Sequence, residues 1–128
     1  MISPTAYVLW NSRLKQTMNG GKAAAHGFHA GNQLQKYTDN QIVQDYLSDG
    51  NVNGADFFNI AIAISVPEDA IKAIVNMSQK AGYVGDIVVD PTYPVGDGIT
   101  VEMLTMGWVI GDRDDWNFRI LVDGFDLA

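Results

Sequence analysis

A chain of 128 residues, 47% apolar and 18% charged, has enough apolar surface to bury one core and too little polarity to stay disordered, so one domain over residues 1–128 is expected. It has no cysteine, which excludes disulfides, zinc-thiolate centres and a cysteine nucleophile together. The net charge of −7 argues against a nucleic-acid partner on average, but residues 1–38 hold Arg13, Lys15, Lys22 and Lys36 and no acid, a local +4 against −11 for the remainder.

If an anionic ligand binds, the N-terminal segment is where it is expected; the bland reading of the same pattern is sampling noise in a chain with few basic residues. That segment has no basic leader followed by an apolar run, and no stretch approaches the ~20 apolar residues of a membrane span. A cytoplasmic protein is the expectation.

Residues 6–10, AYVLW, predict a strand, and the polar stretch NSRLKQTMNGG predicts a loop ending in Gly20 and Gly21. The Ala-rich run from Gly21 to about Lys36 predicts a helix with Ala24, Phe28 and Leu34 as its buried stripe. Gly27 and Gly31 within it suggest close packing against a neighbouring element. Lys22 sits in the first turn, where free backbone N–H groups and the helix dipole favour an anion. This is not a Walker A loop, because Gln16 stands where its first glycine belongs and Ala23 where a hydroxyl would hold Mg²⁺. Lys22, His26 and His29 are spaced i, i+4 and i+7, which puts them on one face of the helix. Two histidines with no carboxylate nearby in sequence fall short of a metal site; the remaining readings are acid–base chemistry near neutral pH and hydrogen bonding within helix–sheet packing.

A second helix is predicted over about Asn40–Leu47. FFNIAIAIS, residues 57–65, has the composition of a strand buried on both faces and central in a sheet. Ser65-Val66-Pro67-Glu68 matches a capping box, and Ile71, Ile74, Val75 and Met77 continue as an apolar helical stripe up to Gly82. A strand from Tyr83 to Asp90, a turn-rich connection DPTYPVGDG and a strand from Thr100 to Ile110 follow. Asp112, Arg113, Asp114 and Asp115 lack calcium-loop spacing and suit the start of a short terminal helix. Trp10 and Trp108 fall in predicted strands; Trp116 is the candidate exposed ring. The order β-α-α-β-α-β-β predicts a layered α/β domain with at least one parallel pair in a mixed sheet.

GKAAAHGFHA at residues 21–30 resembles the GK-x-A-A-Q-x-x-H-A signature of the type-2 peptidyl-tRNA hydrolase family, and the later elements follow in a similar order. The resemblance spans most of the chain. It implies a three-layer α-β-α domain with a mixed four-stranded sheet, often dimeric, that cleaves the ester joining a peptide to tRNA, with no cofactor and no metal. By position it implies Lys22 and Asp90 as catalytic residues and His29 as the motif histidine, with Thr100 starting the next strand as a further site residue, or Thr105 given the uncertain loop length. His26 stands where the family has Gln, and Pro94 where it has a threonine that Thr92 replaces only if the turn is remodelled. These departures leave open a catalytically silent tRNA- or protein-binding module, or an enzyme of small-molecule or nucleotide metabolism, on the same fold.

Hydrolysis of an acyl ester without a serine triad or metal needs a positioned water, a base and a group to meet the developing oxyanion. Asp90 supplies the base in this reading, Lys22 meets the negative charge, Thr100 or Thr105 orients the water, and His26 replaces an amide donor or shares the proton. Arg13, Lys15, Gly20, Gly21, His29, Thr92 and Thr105 are the candidate substrate contacts.

Overall fold

The computed structural model describes residues 4–14, 18–48 and 59–128. Its elements follow the predicted order: β1 (Pro4–Asn11), α1 (Gly20–Gln33), α2 (Gln41–Ser48), β2 (Ala61–Val66), α3 (Glu68–Lys80), β3 (Val84–Gly96), β4 (Ile99–Asp112) and α4 (Trp116–Val122). One mixed sheet runs β2-β1-β4-β3, with β1 and β2 parallel and β4 antiparallel to both β1 and β3. β1, β2 and β3 therefore point the same way, and their carboxyl ends share one rim.

Alternation along the strands sends apolar side chains to both faces. On one face Ile42, Val43 and Tyr46 of α2 and Ala30 of α1 pack against Val88, Met106, Trp108 and Ile110. On the other, Ile71, Ile74 and Val75 of α3 and Phe118 and Val122 of α4 pack against Tyr7, Leu9, Ile64 and Val109. The result is a three-layer α-β-α domain. Trp108 is buried and Trp116 is exposed, as their positions in the sequence suggest.

Three local expectations need correction. The run at residues 57–65 reads as a central strand, but β2 lies at the sheet edge, with Ala61 and Ala63 exposed; residues 57 and 58 lie outside the described residues. Its apolar character is matched by the C-terminal segment, which lies along that edge: Ser65 N–H donates to the Asp126 carbonyl at 2.8 Å and Ala128 N–H to that of Ala63 at 3.0 Å. The edge is thus partly paired. The capping box does not form. Pro67 is the N-cap with extended backbone, Ser65 stays in β2, and Glu68 turns to Arg13 instead.

The third concerns DPTYP, which reads as a turn yet lies inside β3. β3 is the other edge strand, so the missing N–H groups of Pro91 and Pro94 are tolerable there, and register shifts between Asp90 and Tyr93 and between Pro94 and Gly96 take up extra residues as bulges. The chain reverses only at Asp97 and Gly98, with φ of 51° and 73°, the left-handed pair that a two-residue Asp-Gly hairpin needs.

Candidate functional site

α1 starts at the predicted junction. Asn19 is its N-cap, with Oδ1 accepting the Lys22 N–H at 2.9 Å, and Gly20 and Gly21 form the exposed first turn. The helix buries a different face from the predicted one: Ala24 and Phe28 are exposed, Leu34 is half-buried, and His26 and Ala30 are the buried residues. A Cβ at Gly27 or Gly31 would meet nothing within 4 Å among the described residues, so these glycines do not mark a close approach there. The inward turn of His26 has a physical reason. Its part of α1 lies against a rim where β3 and β4 present polar groups, and only a polar side chain can face them without leaving them unsatisfied.

Thr105 is one of those groups, and a bulge puts it there. Val88 opposes Met106 while Val89 opposes Leu104, which makes Thr105 the extra residue on β4. A bulge re-aims a side chain, so Thr105, like its neighbour Met106, serves the α1 side of the sheet. Thr105 is fully buried. Its Oγ1 lies 3.3 Å from His26 Nδ1 and donates to the Val88 carbonyl at 3.3 Å. Asn11, also fully buried, secures the same spot by donating from Nδ2 to the Leu104 carbonyl at 2.7 Å.

Thr100 is elsewhere. It is exposed and opposes Pro94 in the outer arm of the hairpin. It lies three positions before Met103, the partner of Asp90, roughly 10 Å along the strand. Alternation sets it with Leu104 on the face opposite to Thr105. The expectation of a loop between Asp90 and Thr100 fails because β3 continues as strand, and Thr105 is the threonine that meets His26.

Asp90 faces His26 from β3, with Oδ2 3.7 Å from Nε2. Its Oδ1 accepts the Thr92 N–H at 2.8 Å and the Thr92 hydroxyl at 3.4 Å, so Thr92 fixes the carboxylate. Tyr93 follows, fully buried, with its ring 6.2 Å from that of His26. Lys22 Nζ lies 5.4 Å from the centroid of the Tyr93 ring, a cation–π distance. Tyr93 and Asn11 were not singled out by sequence reasoning. For Tyr93 the available signal was an aromatic side chain between two prolines just past Asp90.

His29 is exposed, with its ring 5.7 Å from that of His26. His26, His29, Gln33, Asp90, Pro91 and Thr92 line an open groove of about 560 Å³. Of the expected contacts, His29 and Thr92 line it, and Arg13, Gly20, Gly21 and Thr105 do not. Arg13 is held by Glu68 at 2.7 Å, because the short 3₁₀ turn after β1 brings it to the start of α3. Lys15 lies outside the described residues. Among the described residues no group of three or more His, Asp or Glu side chains gathers as a metal site, and no helix is long and apolar enough to cross a membrane.

His26 titrates below its ordinary 6.5. Burial is the main cause, Asp90 opposes it, and the nearby charges of His29 and Lys22 add to the lowering. The imidazole is thus neutral at neutral pH. As pH falls the unfolded chain takes its proton first, so the stability carried by the neutral ring is intact above pH 6.5 and is lost as pH drops through the folded value. Denaturant midpoints measured across this range are expected to decline below pH 6.5, and to decline less in His26→Gln.

No family model matches this sequence, and no curated protein matches it. Among solved structures, a protein of unknown function from Agrobacterium tumefaciens strain C58 is similar over 100% of this chain and 99% of that one, with a TM-score of 0.62 and 10% identity. At that identity the two share a fold.

Proposed function

We propose that this chain is an acyl-ester hydrolase of the peptidyl-tRNA hydrolase type, which uses an activated water to cleave the ester between a peptide and tRNA. The observation that carries the reading is the meeting of His26 and Asp90, from two elements distant in sequence, at one open groove, with Lys22 of the same helix as His26 held near the Tyr93 ring. That groove lies toward the carboxyl ends of β1 and β3, where α/β sheets commonly bind ligands. A buried neutral imidazole 3.7 Å from a carboxylate is suited to hold a water and take its proton, and Lys22 at the helix start is suited to meet a phosphate or a developing oxyanion. The resemblance of residues 21–30 to the hydrolase signature supports the same assignment. On this reading the partner is peptidyl-tRNA, held through the basic N-terminal segment, the compartment is the cytoplasm, and a homodimer is the assembly to test.

Pro94 favours a second reading, a tRNA- or protein-binding module without turnover, because the family's threonine is missing there. The buried Thr105 hydroxyl against His26 weighs for the hydrolase. Labelled N-acetylphenylalanyl-tRNA and free phenylalanyl-tRNA, each incubated with the wild type and with Lys22→Ala, separate the two. The hydrolase reading expects release of the acylated amino acid by the wild type and its loss in folded Lys22→Ala. Binding of the tRNA without release establishes the second reading instead.

A further inference from the structure

The hydrogen bonds of Thr105 carry a consequence for which nitrogen of His26 holds the proton. A threonine hydroxyl has one proton to give and lone pairs to accept with. Thr105 gives its proton to the Val88 carbonyl at 3.3 Å, so toward His26 Nδ1, also at 3.3 Å, it acts as an acceptor. With the hydroxyl proton on the Val88 carbonyl, Nδ1 is the protonated nitrogen of the neutral ring. Nε2 is left with a lone pair, and it faces Asp90 Oδ2 at 3.7 Å. Two acceptors at that separation call for a donor between them. A water about 2.8 Å from each fits, giving one proton to Nε2 and the other to the carboxylate, and its own lone pairs then point away from both.

We propose that Thr105 sets His26 in the Nδ1–H form, so that Nε2 and Asp90 together bind one water at the groove and Nε2 is the general base that deprotonates it. The chemistry rests on the hydrolase reading. The water oxygen attacks the ester carbonyl carbon as its proton passes to Nε2, forming a tetrahedral oxyanion. Collapse of that intermediate breaks the bond to the ribose oxygen, which leaves with the proton now on Nε2. The products are a carboxylic acid and a free ribose hydroxyl, and His26 returns to its starting form. His26 touches the reacting water; Thr105 acts through His26 and is a positioning residue. The titratable and charged groups around the ring are Lys22 and His29 on α1 and Asp90 and Tyr93 on β3, while β4 contributes the uncharged Thr105. Protonation of Nε2 in acid removes the acceptor, so kcat/KM falls with the titration of His26.

The test is long-range proton–nitrogen NMR of the full chain labelled with nitrogen-15, titrated through the His26 transition, in the wild type, Thr105→Val and Thr105→Ser. On the basic side of that transition the wild type and Thr105→Ser are expected to show a protonated, pyrrole-type Nδ1 and an unprotonated Nε2. Thr105→Val is expected to shift the ring toward the other tautomer and to lower kcat roughly 10²-fold, as for a misplaced general base, with KM little changed. A predominantly Nε2–H ring in the wild type overturns the inference even if peptidyl-tRNA is cleaved, as does a tautomer indifferent to Thr105→Val. The Nδ1–H ring without any ester cleavage sinks the hydrolase reading and, with it, the role of Nε2 as base, while the setting of the tautomer by Thr105 stands.

Discussion

Replacing Asp90 by Asn is expected to lower kcat for peptidyl-tRNA cleavage by about 10²–10⁴-fold, the usual span for loss of a positioned acid–base group. The amide keeps the shape of the carboxylate and its contacts with Thr92, but its NH₂ group cannot accept the water's second proton. His26→Gln is expected to fall by a similar factor, because it removes the lone pair at Nε2. On the proposed reading both side chains act on one water, so the double variant should be little worse than either single one; residues that work as a unit are far from additive in this way. KM should move less than kcat in each case, because the groups act on the attacking water more than on the bound tRNA. Single-turnover rates on labelled N-acetylphenylalanyl-tRNA, with binding measured separately, decide it. Activity lost in Asp90→Asn and intact in His26→Gln points to a carboxylate base and removes the imidazole from the chemistry.

Phe118→Ala is expected to have the largest effect on stability, about 3–5 kcal/mol for a buried phenyl ring with incomplete relaxation around the cavity. Phe118 is fully buried and lies 5.8 Å and 5.2 Å, centroid to centroid, from Tyr7 and Tyr83. Its ring rests directly on Gly111, where any Cβ would collide with it. Val122 is the other buried side chain of α4, and it is much the smaller of the two. The melting temperature should fall by roughly 10 °C or more for a domain of this size, checked by thermal unfolding with a circular dichroism readout. Gly111→Val attacks the same contact from the sheet side and should also destabilise. The groove lies on the other face of the sheet, so kcat well below the melting temperature should stay within about twofold of the wild type if the two sites are energetically independent.

The element order was legible because each helix carries its own local signal: the Ala-rich run after Gly21, the stripe of Ile71, Ile74 and Val75, and the acidic start before Trp116. What the sequence did not disclose depends on pairing between distant segments. DPTYP has the composition of a turn, and only its place on an edge strand beside β4 makes it strand. The apolar run ending at Ser65 looks central until the C-terminal segment is seen lying along it. At the site, Lys22, His26 and Asp90 stand out as residue types at telling positions, and His26 and Asp90 do meet. The choice between Thr100 and Thr105 could not be made from spacing, because it turns on one extra residue between Leu104 and Met106. The buried face of α1 departs from its apolar pattern for a related reason. Phe28 is the more apolar side chain, but the surface beneath the start of the helix is polar, and a hydrogen-bonding ring fits it better.

Cleavage of N-acetylphenylalanyl-tRNA in water enriched in heavy oxygen shows whether a water held at His26 and Asp90 is the nucleophile. The wild type is expected to turn over, with one heavy oxygen entering the released carboxylate and none the ribose hydroxyl, and Lys22→Ala and Asp90→Asn, both folded, are expected to release almost none of it. Heavy oxygen on the ribose side, or release that survives in both variants, contradicts that role for the water.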